Sequence, residues 1–384
     1  MRPKLSKTVI YFHWPSILLI LGLAASLLFS LAGFAQVAGP GSDDPRKLPG
    51  QPVNPAQLPR TSPAATATTP ASQAPIDPQV KAILDKMEAA GVLHPTTREQ
   101  ARKSYLFYAK FAGSPENIFH VEDRQIPGPA GNIPVRLYQP RAGGGLPVWV
   151  YFHGGGFITG SLDTHDTPLR AIANRCDCVI VSVAYRLAPE HPYPAATQDA
   201  YAATKWAADH ATEIGGDPLR IAVGGDGAGG NLAAVVTLMA RDRGAPHLDY
   251  QVLIYPILDS LMLTRSWVES HDPIITNDAM LTQWAAYVPV NTDPNIPYIS
   301  PANADLHKLP PALIVTAADD PLRDEDNLYA LALRKAATPA DLVVYPDVIH
   351  GFFLMGGEVD AAKKCSDKIA ASLKQGFQAT PQTP

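Results

Sequence analysis

The sequence has little cysteine, no excess of charge of one sign and no internal repeat. Its 384 residues include three cysteines, which exclude a disulfide framework and a zinc site with four cysteine ligands. We expect Cys176 and Cys178 to pack as buried side chains, and a bond between either of them and Cys365 stays open. The 31 Lys and Arg residues against 36 Asp and Glu residues give a net charge of −5, so no basic field attracts nucleic acid.

Long hydrophobic runs occur only near the N-terminus, which excludes a protein that crosses a membrane several times. Basic residues at positions 2, 4 and 7 precede residues 8–38, which contain no Asp, Glu, Lys or Arg. This pattern predicts an export signal that delivers the remainder to the periplasm or the cell exterior. Two alternatives stay open: residues 1–38 are a cleaved signal peptide, or residues 9–35 are an uncleaved membrane tether.

Residues 39–75 are rich in Pro, Ala and Thr and contain few side chains to bury. This composition predicts a disordered linker, which either holds a domain away from a membrane or is a leader without a function of its own. We expect the folded domain at residues 76–377 and a disordered tail at residues 378–384. A domain of about three hundred residues is large but acceptable for one α/β fold.

Apolar segments typical of buried strands alternate with amphipathic segments typical of helices along the folded part. The predicted strands are residues 135–138, 147–152, 178–184, 220–224, 250–255, 312–316 and 341–345. The predicted helices are residues 199–210, 231–241, 324–336 and 358–374, and two earlier helices within 77–90 and 98–111 predict a cap at 76–112. The alternation predicts an α/β fold with a mostly parallel sheet, helices on both faces, and chemistry beyond the carboxyl ends of the strands.

Three consecutive glycines follow one of these strands, in the segment His153-Gly-Gly-Gly-Phe157. Glycines let backbone N–H groups approach a ligand closely, and such groups can stabilise the oxyanion of a tetrahedral intermediate. The alternative is a flexible turn without a role in chemistry.

A second glycine-rich turn, Gly225-Asp-Gly-Ala-Gly-Gly230, joins a predicted strand to a predicted helix. This is the frame of a nucleophile elbow, in which the central residue of G-x-S-x-G attacks the substrate. The central residue here is Gly227, which has no hydroxyl, so the covalent chemistry lacks its nucleophile. The turn also satisfies the dinucleotide pattern G-x-G-x-x-G, a remote alternative because the nearest acid, Asp249, lies at the start of the next strand.

An acid and a histidine follow two later strands. Asp319 and Asp320 come after the strand at 312–316, and His350 comes after the strand at 341–345. Their order after the elbow matches nucleophile, acid and histidine, in which the acid holds one imidazole tautomer and stabilises its cation. Taken singly, each has an ordinary alternative: for Asp320 it is a simple Asp-Pro turn, and for His350 it is a surface histidine.

Together these segments resemble the hormone-sensitive-lipase-like branch of the α/β-hydrolases, bacterial carboxylesterases with an HGGG loop and a GDSAGG elbow. The resemblance covers residues 76–377. Further segments that match are residues 160–163, 183–196, 255–256, 320–325 and 350–352. Members of the family hydrolyse carboxylic esters of short to medium acyl chains without a cofactor. The resemblance therefore implies a small-molecule ester as the ligand and no cofactor. His165, His191 and His271 lack the spacing of metal ligands, so we expect no metal.

The resemblance also implies roles for single residues. Asp320 rather than Asp319 would be the triad acid, and His350 would be the base. Backbone N–H groups of Gly154, Gly155 and Ala228 would form the oxyanion hole. Among the aromatic residues that flank the motif loops, we expect Phe157 and Phe352 to line the substrate pocket.

The chain departs from the family at Gly227, where the family has serine. Loss of a triad nucleophile leaves binding and oxyanion stabilisation, worth about 10³- to 10⁴-fold over water in comparable enzymes. We therefore expect a carboxylesterase that is inactive or strongly impaired. A ligand-binding pseudoenzyme and a weak hydrolase with a water activated by His350 are the alternatives, and whether the glycine is natural or introduced stays open.

Overall fold

The computed structural model describes residues 75–378. The predicted export signal at residues 1–38, residues 39–74 of the predicted linker and residues 379–384 of the predicted tail lie outside this range. No helix within the described residues is long and apolar enough to cross a membrane. The last helix ends at Gln378, the first residue of the predicted tail.

The strands in residues 75–378 form one sheet. They are β1 (His120–Gly128), β2 (Gly131–Gln139), β3 (Leu146–Phe152), β4 (Val179–Val183), β5 (Gly216–Asp226), β6 (Tyr250–Ile254), β7 (Ala312–Asp319) and β8 (Ala340–Ile349). Their order is β1-β2-β4-β3-β5-β6-β7-β8. In this order, the first two pairs, β1 with β2 and β2 with β4, are antiparallel. The five remaining neighbouring pairs are parallel. The prediction of an α/β fold with a mostly parallel sheet is confirmed.

Helices cover both faces of this sheet. The helices in the described range are α1 (Pro78–Ala89), α2 (Arg98–Tyr108), α3 (Asp166–Cys176), α4 (Ala195–Asp209), α5 (Ala228–Arg243), α6 (Ser266–Glu269), α7 (Asn277–Tyr287), α8 (Arg323–Lys335) and α9 (Asp360–Gln378). Apolar side chains of α4, α5 and α8 share one core with the sheet, and those of α1, α3 and α9 share the core on its other face.

The central strands place the two glycine-rich segments side by side. Every residue of β3 is buried, as its continuous apolar run predicts for a strand covered on both faces. β3 pairs in parallel with β5, and Phe152 at the end of β3 is opposite Gly225. The residues that follow both strands therefore meet at the carboxyl edge of the sheet.

The sequence patterns missed four elements: β1, α3, α6 and α7. β1 is an antiparallel edge strand with mostly exposed or half-buried side chains, so it lacks an apolar run. α3 contains Pro168 at its third position, a residue that ends most helical patterns but is tolerated within a first turn. α7 buries only Met280, Trp284 and Tyr287, so its apolar stripe is narrow.

The expectation for the cysteines is wrong. Cys176, the last residue of α3, forms a disulfide with Cys178, just before β4. Asp177 between them has a positive φ of 53°, which turns the chain sharply from the helix into the strand. Cys365 on α9 is buried and forms no disulfide among the described residues, so neither of the two other cysteines pairs with it. A spacing of two residues gave no indication of this bond.

Candidate active site

Gly227 lies at a sharp turn between β5 and α5. β5 ends at Asp226 and α5 begins at Ala228, and Gly227 between them has φ 52° and ψ −115°. This backbone conformation is strained for any residue with a side chain. The flanking Gly225 and Gly229 are required because a Cβ at either position would collide with the carbonyl of Phe152. The turn therefore has the geometry of a nucleophile elbow with glycine at its centre.

Asp320 and His350 form a buried pair beside this turn. Nδ1 of His350 is 2.9 Å from Oδ2 of Asp320, whose side chain is fully buried. The other carboxylate oxygen of Asp320 accepts a hydrogen bond of 2.8 Å from the N–H of Leu322. Asp319 turns away and accepts bonds from Ser270 and the N–H of His271. The choice of Asp320 over Asp319 therefore agrees with the geometry.

The free nitrogen of His350 faces Gly227. A Cβ at Gly227 would lie 3.5 Å from Nε2 and 3.8 Å from Cε1 of His350, and apart from the neighbouring residues 226 and 228 no other described atom is found within 4 Å of it. That separation is an ordinary van der Waals contact, and a hydroxyl one bond further would be within hydrogen-bond reach of Nε2. Burial lowers the pKa of His350, but the negative charges of Asp320, Asp272 and Asp226 outweigh burial and raise it.

The oxyanion loop differs from the expectation at one residue. The N–H of Gly154 donates a 2.7 Å hydrogen bond to Oδ1 of Asp226, so this group is not available to a ligand, and Gly154 does not line the cavity. Gly155 and Gly156 do line it, and their N–H groups donate no hydrogen bond to a described residue. Ala228 opens α5, where the first N–H groups have no partner within the helix. The donors available in this geometry are those of Gly155, Gly156 and Ala228.

Asp226 holds the oxyanion loop against the elbow. Besides the N–H of Gly154, its Oδ1 accepts a 2.6 Å hydrogen bond from the hydroxyl of Tyr151, and Nε2 of His165 lies 3.1 Å away. Burial raises the pKa of Asp226, but His165, Tyr151 and the N–H of Gly154 lower it by more, so the carboxylate stays ionised. No sequence pattern connects Asp226 with His165, so neither could be assigned a role from the sequence.

His153 is a structural part of the same loop. Burial and the neighbouring His165 lower the pKa of His153 to about 4, so its ring is neutral near pH 7. Its Nδ1 is 2.9 Å from the carbonyl of Gly154, and its ring stacks on Tyr185. These contacts fix the start of the glycine segment, and they leave His350 as the histidine that faces the elbow.

Asp272 is a second acid beside His350, and sequence reasoning missed it. Its Oδ2 accepts a 2.6 Å hydrogen bond from the backbone N–H of His350. Its Oδ1 accepts bonds from the N–H groups of Ile274 and Ile275. Burial and the nearby charge of Asp320 raise the pKa of Asp272 to about 7, although the N–H donors oppose this. Asp272 thus anchors the histidine loop and adds a charge that titrates near neutral pH.

The elbow, the oxyanion loop and His350 open into one cavity of about 560 Å³. α2 and α7 supply much of its wall, with the side chains of Tyr105, Tyr108 and Gln283 among them. Apolar residues from several loops complete a wall suited to a hydrocarbon chain, and these are Leu93, Ile158, Ile257, Ile274 and Ile275. The predicted cap helices therefore contribute to the pocket, together with α7, which was not predicted.

The expectation that Phe157 and Phe352 line this cavity is wrong. Phe157 stacks on Tyr287 at a ring distance of 3.8 Å and is 1% exposed. Phe352 is fully buried and packs against Tyr255 and Tyr345. Both rings belong to the core beneath the motif loops.

Neither a metal site nor a dinucleotide site is favoured by the residues around the cavity. Within residues 75–378, no group of three or more His, Cys, Asp or Glu side chains could hold a metal ion. Asp249, the acid that the dinucleotide pattern would need, directly precedes β6 at the amino end of that strand and accepts a hydrogen bond from the N–H of Ile221. It therefore lies at the opposite edge of the sheet from Gly227.

Comparisons with known proteins agree with this arrangement. A family profile described as an alpha/beta hydrolase fold matches residues 149–354. Carboxylesterase NlhH of Mycobacterium tuberculosis is 44% identical over 254 residues, which are 65% of this chain and 80% of that protein. Carboxylic ester hydrolase LipN of the same organism is 46% identical over 259 residues, 63% of this chain and 68% of the relative. The structure of an esterase from Pyrobaculum calidifontis has a TM-score of 0.73 and 48% identity, and the match covers 78% of this chain and 99% of that one.

The chain belongs to the α/β-hydrolase family, in its hormone-sensitive-lipase-like branch of carboxylesterases. By family it is a carboxylesterase-type hydrolase that acts on ester bonds. The resemblance inferred from the HGGG and elbow segments is thereby confirmed.

Proposed function

We propose that the cavity binds carboxylic esters with short to medium acyl chains, and that hydrolysis by this chain is strongly impaired because Gly227 supplies no nucleophile. The acyl chain lies against the apolar wall, and the ester carbonyl points at the N–H groups of Gly155, Gly156 and Ala228. His350 stands where it would activate a serine hydroxyl. All parts of an ester-hydrolysing site are in place except the attacking oxygen.

The position of Gly227 relative to His350 carries this proposal. A side chain at Gly227 would point directly at Nε2 of His350, with its Cβ at 3.5 Å. The bond of 2.9 Å between His350 and Asp320 orients the ring so that Nε2 is the atom presented to the elbow. A cavity whose only role was ligand binding would not need this pair.

The test compares hydrolysis of p-nitrophenyl acetate and butyrate by the full chain and by Gly227→Ser. Gly227→Ala is the matched control, because it adds the Cβ and the backbone strain without the hydroxyl. We expect Gly227→Ser to hydrolyse these esters about 10³-fold or more faster than the unaltered chain and Gly227→Ala, because nucleophile and base act as one unit. A second change, His350→Ala, should abolish the gain. Equal rates for Gly227→Ser and Gly227→Ala would overturn the proposal.

A slow hydrolysis with water as the nucleophile is the second candidate. It is favoured by the open space beneath Nε2 of His350 and by the intact Asp320 pair. A water has no covalent attachment to hold it in line with the carbonyl, so the effective molarity of a fixed nucleophile is lost. If this route operates, His350→Ala should lower the residual rate of the unaltered chain, whereas Gly227→Ala should block the position of the water.

We also propose that the protein is exported, either as a periplasmic or extracellular enzyme or as one tethered through residues 9–35. The support is the sequence of residues 1–38, with its basic start and its uncharged apolar run. The mass of the protein recovered after expression in a bacterium tests it. Loss of roughly the first 38 residues indicates cleavage, full mass in the membrane fraction indicates a tether, and full mass in the cytosol contradicts export.

A further inference from the structure

The carboxyl edge of the sheet contains an unfilled position between the oxyanion loop and His350. Beside Gly227, only Nε2 and Cε1 of His350 come within 4 Å of the point where a Cβ would lie, among described atoms outside the glycine's immediate chain neighbours. In a serine esterase the nucleophilic oxygen occupies this region. Here the region is available to an atom of the ligand.

Backbone N–H groups from two segments border the cavity around this position. The N–H groups of Gly155 and Gly156 come from the loop, and the N–H of Ala228 comes from the start of α5. α5 has 16 residues, and the positive end of its dipole points at the same place. Nε2 of His350 faces it from the opposite side, with no hydrogen-bond partner among residues 75–378. Such a set of donors is complementary to an anion with two oxygens.

We propose that this site binds the carboxylate anion of a short- to medium-chain carboxylic acid, with one oxygen on the N–H groups of Gly155, Gly156 and Ala228 and the other against Nε2 of His350. The proposal rests on the proposed function, because it uses the same pocket and the same acyl wall. The two oxygens of a carboxylate are about as far apart as the nucleophilic oxygen and the oxyanion of a tetrahedral intermediate. A carboxylate therefore fills the place of the missing hydroxyl as well as the oxyanion hole.

The charges around His350 favour its cationic form. The carboxylates of Asp320, Asp272 and Asp226 act on it, the ring of Tyr255 packs against it at 4.5 Å, and the hydroxyl of Tyr108 lies beside the next residue, Gly351. Together the three carboxylates raise the pKa of His350 despite its burial. An imidazolium that persists at higher pH gives the carboxylate a charge-assisted hydrogen bond.

Asp226 does not compete for this position. Its Oδ1 accepts hydrogen bonds from the hydroxyl of Tyr151 and the N–H of Gly154, and its Oδ2 lies against Gly154. Nε2 of His165 also lies 3.1 Å from Oδ1. Asp226 lines the cavity, but its oxygens already have these partners in the loop and the strand.

Binding should depend on pH with a defined sign. The ligand is ionised above about pH 5, and His350 is cationic below its raised pKa. Affinity should be highest between these limits and should fall as the pH rises and His350 loses its proton. A neutral ligand of the same shape should show no such fall.

The test is a calorimetric titration of the full chain with sodium octanoate, and with octanamide as the neutral control, at pH 6 and at pH 9. We expect octanoate to bind at least tenfold more tightly than octanamide at pH 6, and to lose most of that advantage at pH 9. Gly227→Ala should weaken octanoate by at least tenfold, because its methyl group occupies the site of one oxygen. His350→Gln should reduce the pH dependence, and His350→Gln/Asp272→Asn, which also removes the second group that titrates near neutral pH, should abolish it. Circular dichroism of each variant verifies that it is folded.

Equal binding of octanoate and octanamide, or unchanged octanoate binding by Gly227→Ala, would overturn the proposal. Hydrolysis of p-nitrophenyl butyrate by Gly227→Ser separates this failure from a failure of the proposed function. If Gly227→Ser is an active esterase and the unaltered chain does not prefer octanoate, carboxylate binding is refuted and the ester site stands. If Gly227→Ser is inactive while octanoate binds as expected, the carboxylate site stands without the esterase assignment.

Discussion

A Cβ at Gly227 would stand 3.5 Å from Nε2 of His350, the nitrogen opposite the one that contacts Asp320. The histidine is therefore oriented toward a side chain that glycine does not have. The elbow around it is kept, with φ 52° and ψ −115° at its centre and glycines at the two positions that touch Phe152. The backbone of this site has the geometry of a nucleophile elbow, and glycine at its centre lacks the hydroxymethyl group that a serine would carry.

Glycine at the elbow should make the fold more stable than the serine of the family would. The conformation of Gly227 costs a residue with a Cβ about 1–3 kcal/mol. We therefore expect Gly227→Ala and Gly227→Ser each to lower the free energy of unfolding by about that amount. Denaturant unfolding followed by circular dichroism measures it. Gly244→Ala is the control. Gly244 also has a positive φ, but a Cβ there meets nothing within 4 Å and lies far from the site, so this variant measures the cost of a positive φ alone. A stability that is unchanged in both Gly227 variants would contradict the strain.

The pH dependence of Gly227→Ser should report the charges around His350. Since the base must be neutral to accept the proton, the rate falls on the acid side as His350 is protonated. Asp272 is one of the charges that raise the pKa of His350. Removing it in Gly227→Ser/Asp272→Asn should move the acid limb of kcat/KM to lower pH. A shift to higher pH, or none in a variant that is folded, would show that Asp272 does not act on the histidine.

Asp226 should act as a positioning residue for the oxyanion loop. In the Gly227→Ser background, Asp226→Asn removes the charge that holds Tyr151, His165 and the N–H of Gly154. We expect kcat to fall by about 10- to 100-fold with little change in KM, because the donors matter most in the transition state. Weakening the buried hydrogen bonds from Tyr151 and Gly154 should also cost about 1–3 kcal/mol of stability. Asp209→Asn, an exposed residue paired with Lys205, is the control. An increase in KM with unchanged kcat would assign Asp226 to substrate binding instead.

The disulfide can be checked by counting thiols. The structure pairs Cys176 with Cys178 and leaves Cys365 reduced and buried. Burial raises the pKa of the Cys365 thiol, so it should react slowly in the folded protein. In denaturant without a reductant one thiol should react with a maleimide, and after reduction three should. Three reactive thiols before reduction would show that the bond is absent from the purified protein.

Local sequence patterns were sufficient for the parts of the site that follow directly from strand ends. Asp320, His350 and Gly227 each lie in a motif next to a strand with a clear apolar run, and the structure brings the three together. The parallel order of those strands then brings them to one edge. The α/β class followed from the same alternation.

Contacts between distant segments could not be predicted. Which glycine N–H groups remain available depends on Asp226. This residue lies 72 residues after Gly154 and accepts a hydrogen bond from its N–H group. Asp272 reaches the N–H of His350 from 78 residues away, out of a segment without a strand pattern. The rings of Phe157 and Phe352 turn into the core, and the direction of a loop side chain has no local sequence signal.

Covalent labelling with a p-nitrophenyl alkylphosphonate tests the central claim most directly. This reagent phosphonylates an activated serine in an elbow with a working histidine and oxyanion loop. Intact-mass spectrometry should show one equivalent of label on Gly227→Ser, none on the unaltered chain or Gly227→Ala, and little on Gly227→Ser/His350→Ala. Labelling of the unaltered chain would reveal a different nucleophile. Failure to label Gly227→Ser, in a variant that is folded, would show that the loss of the hydroxyl is not what separates this site from an esterase.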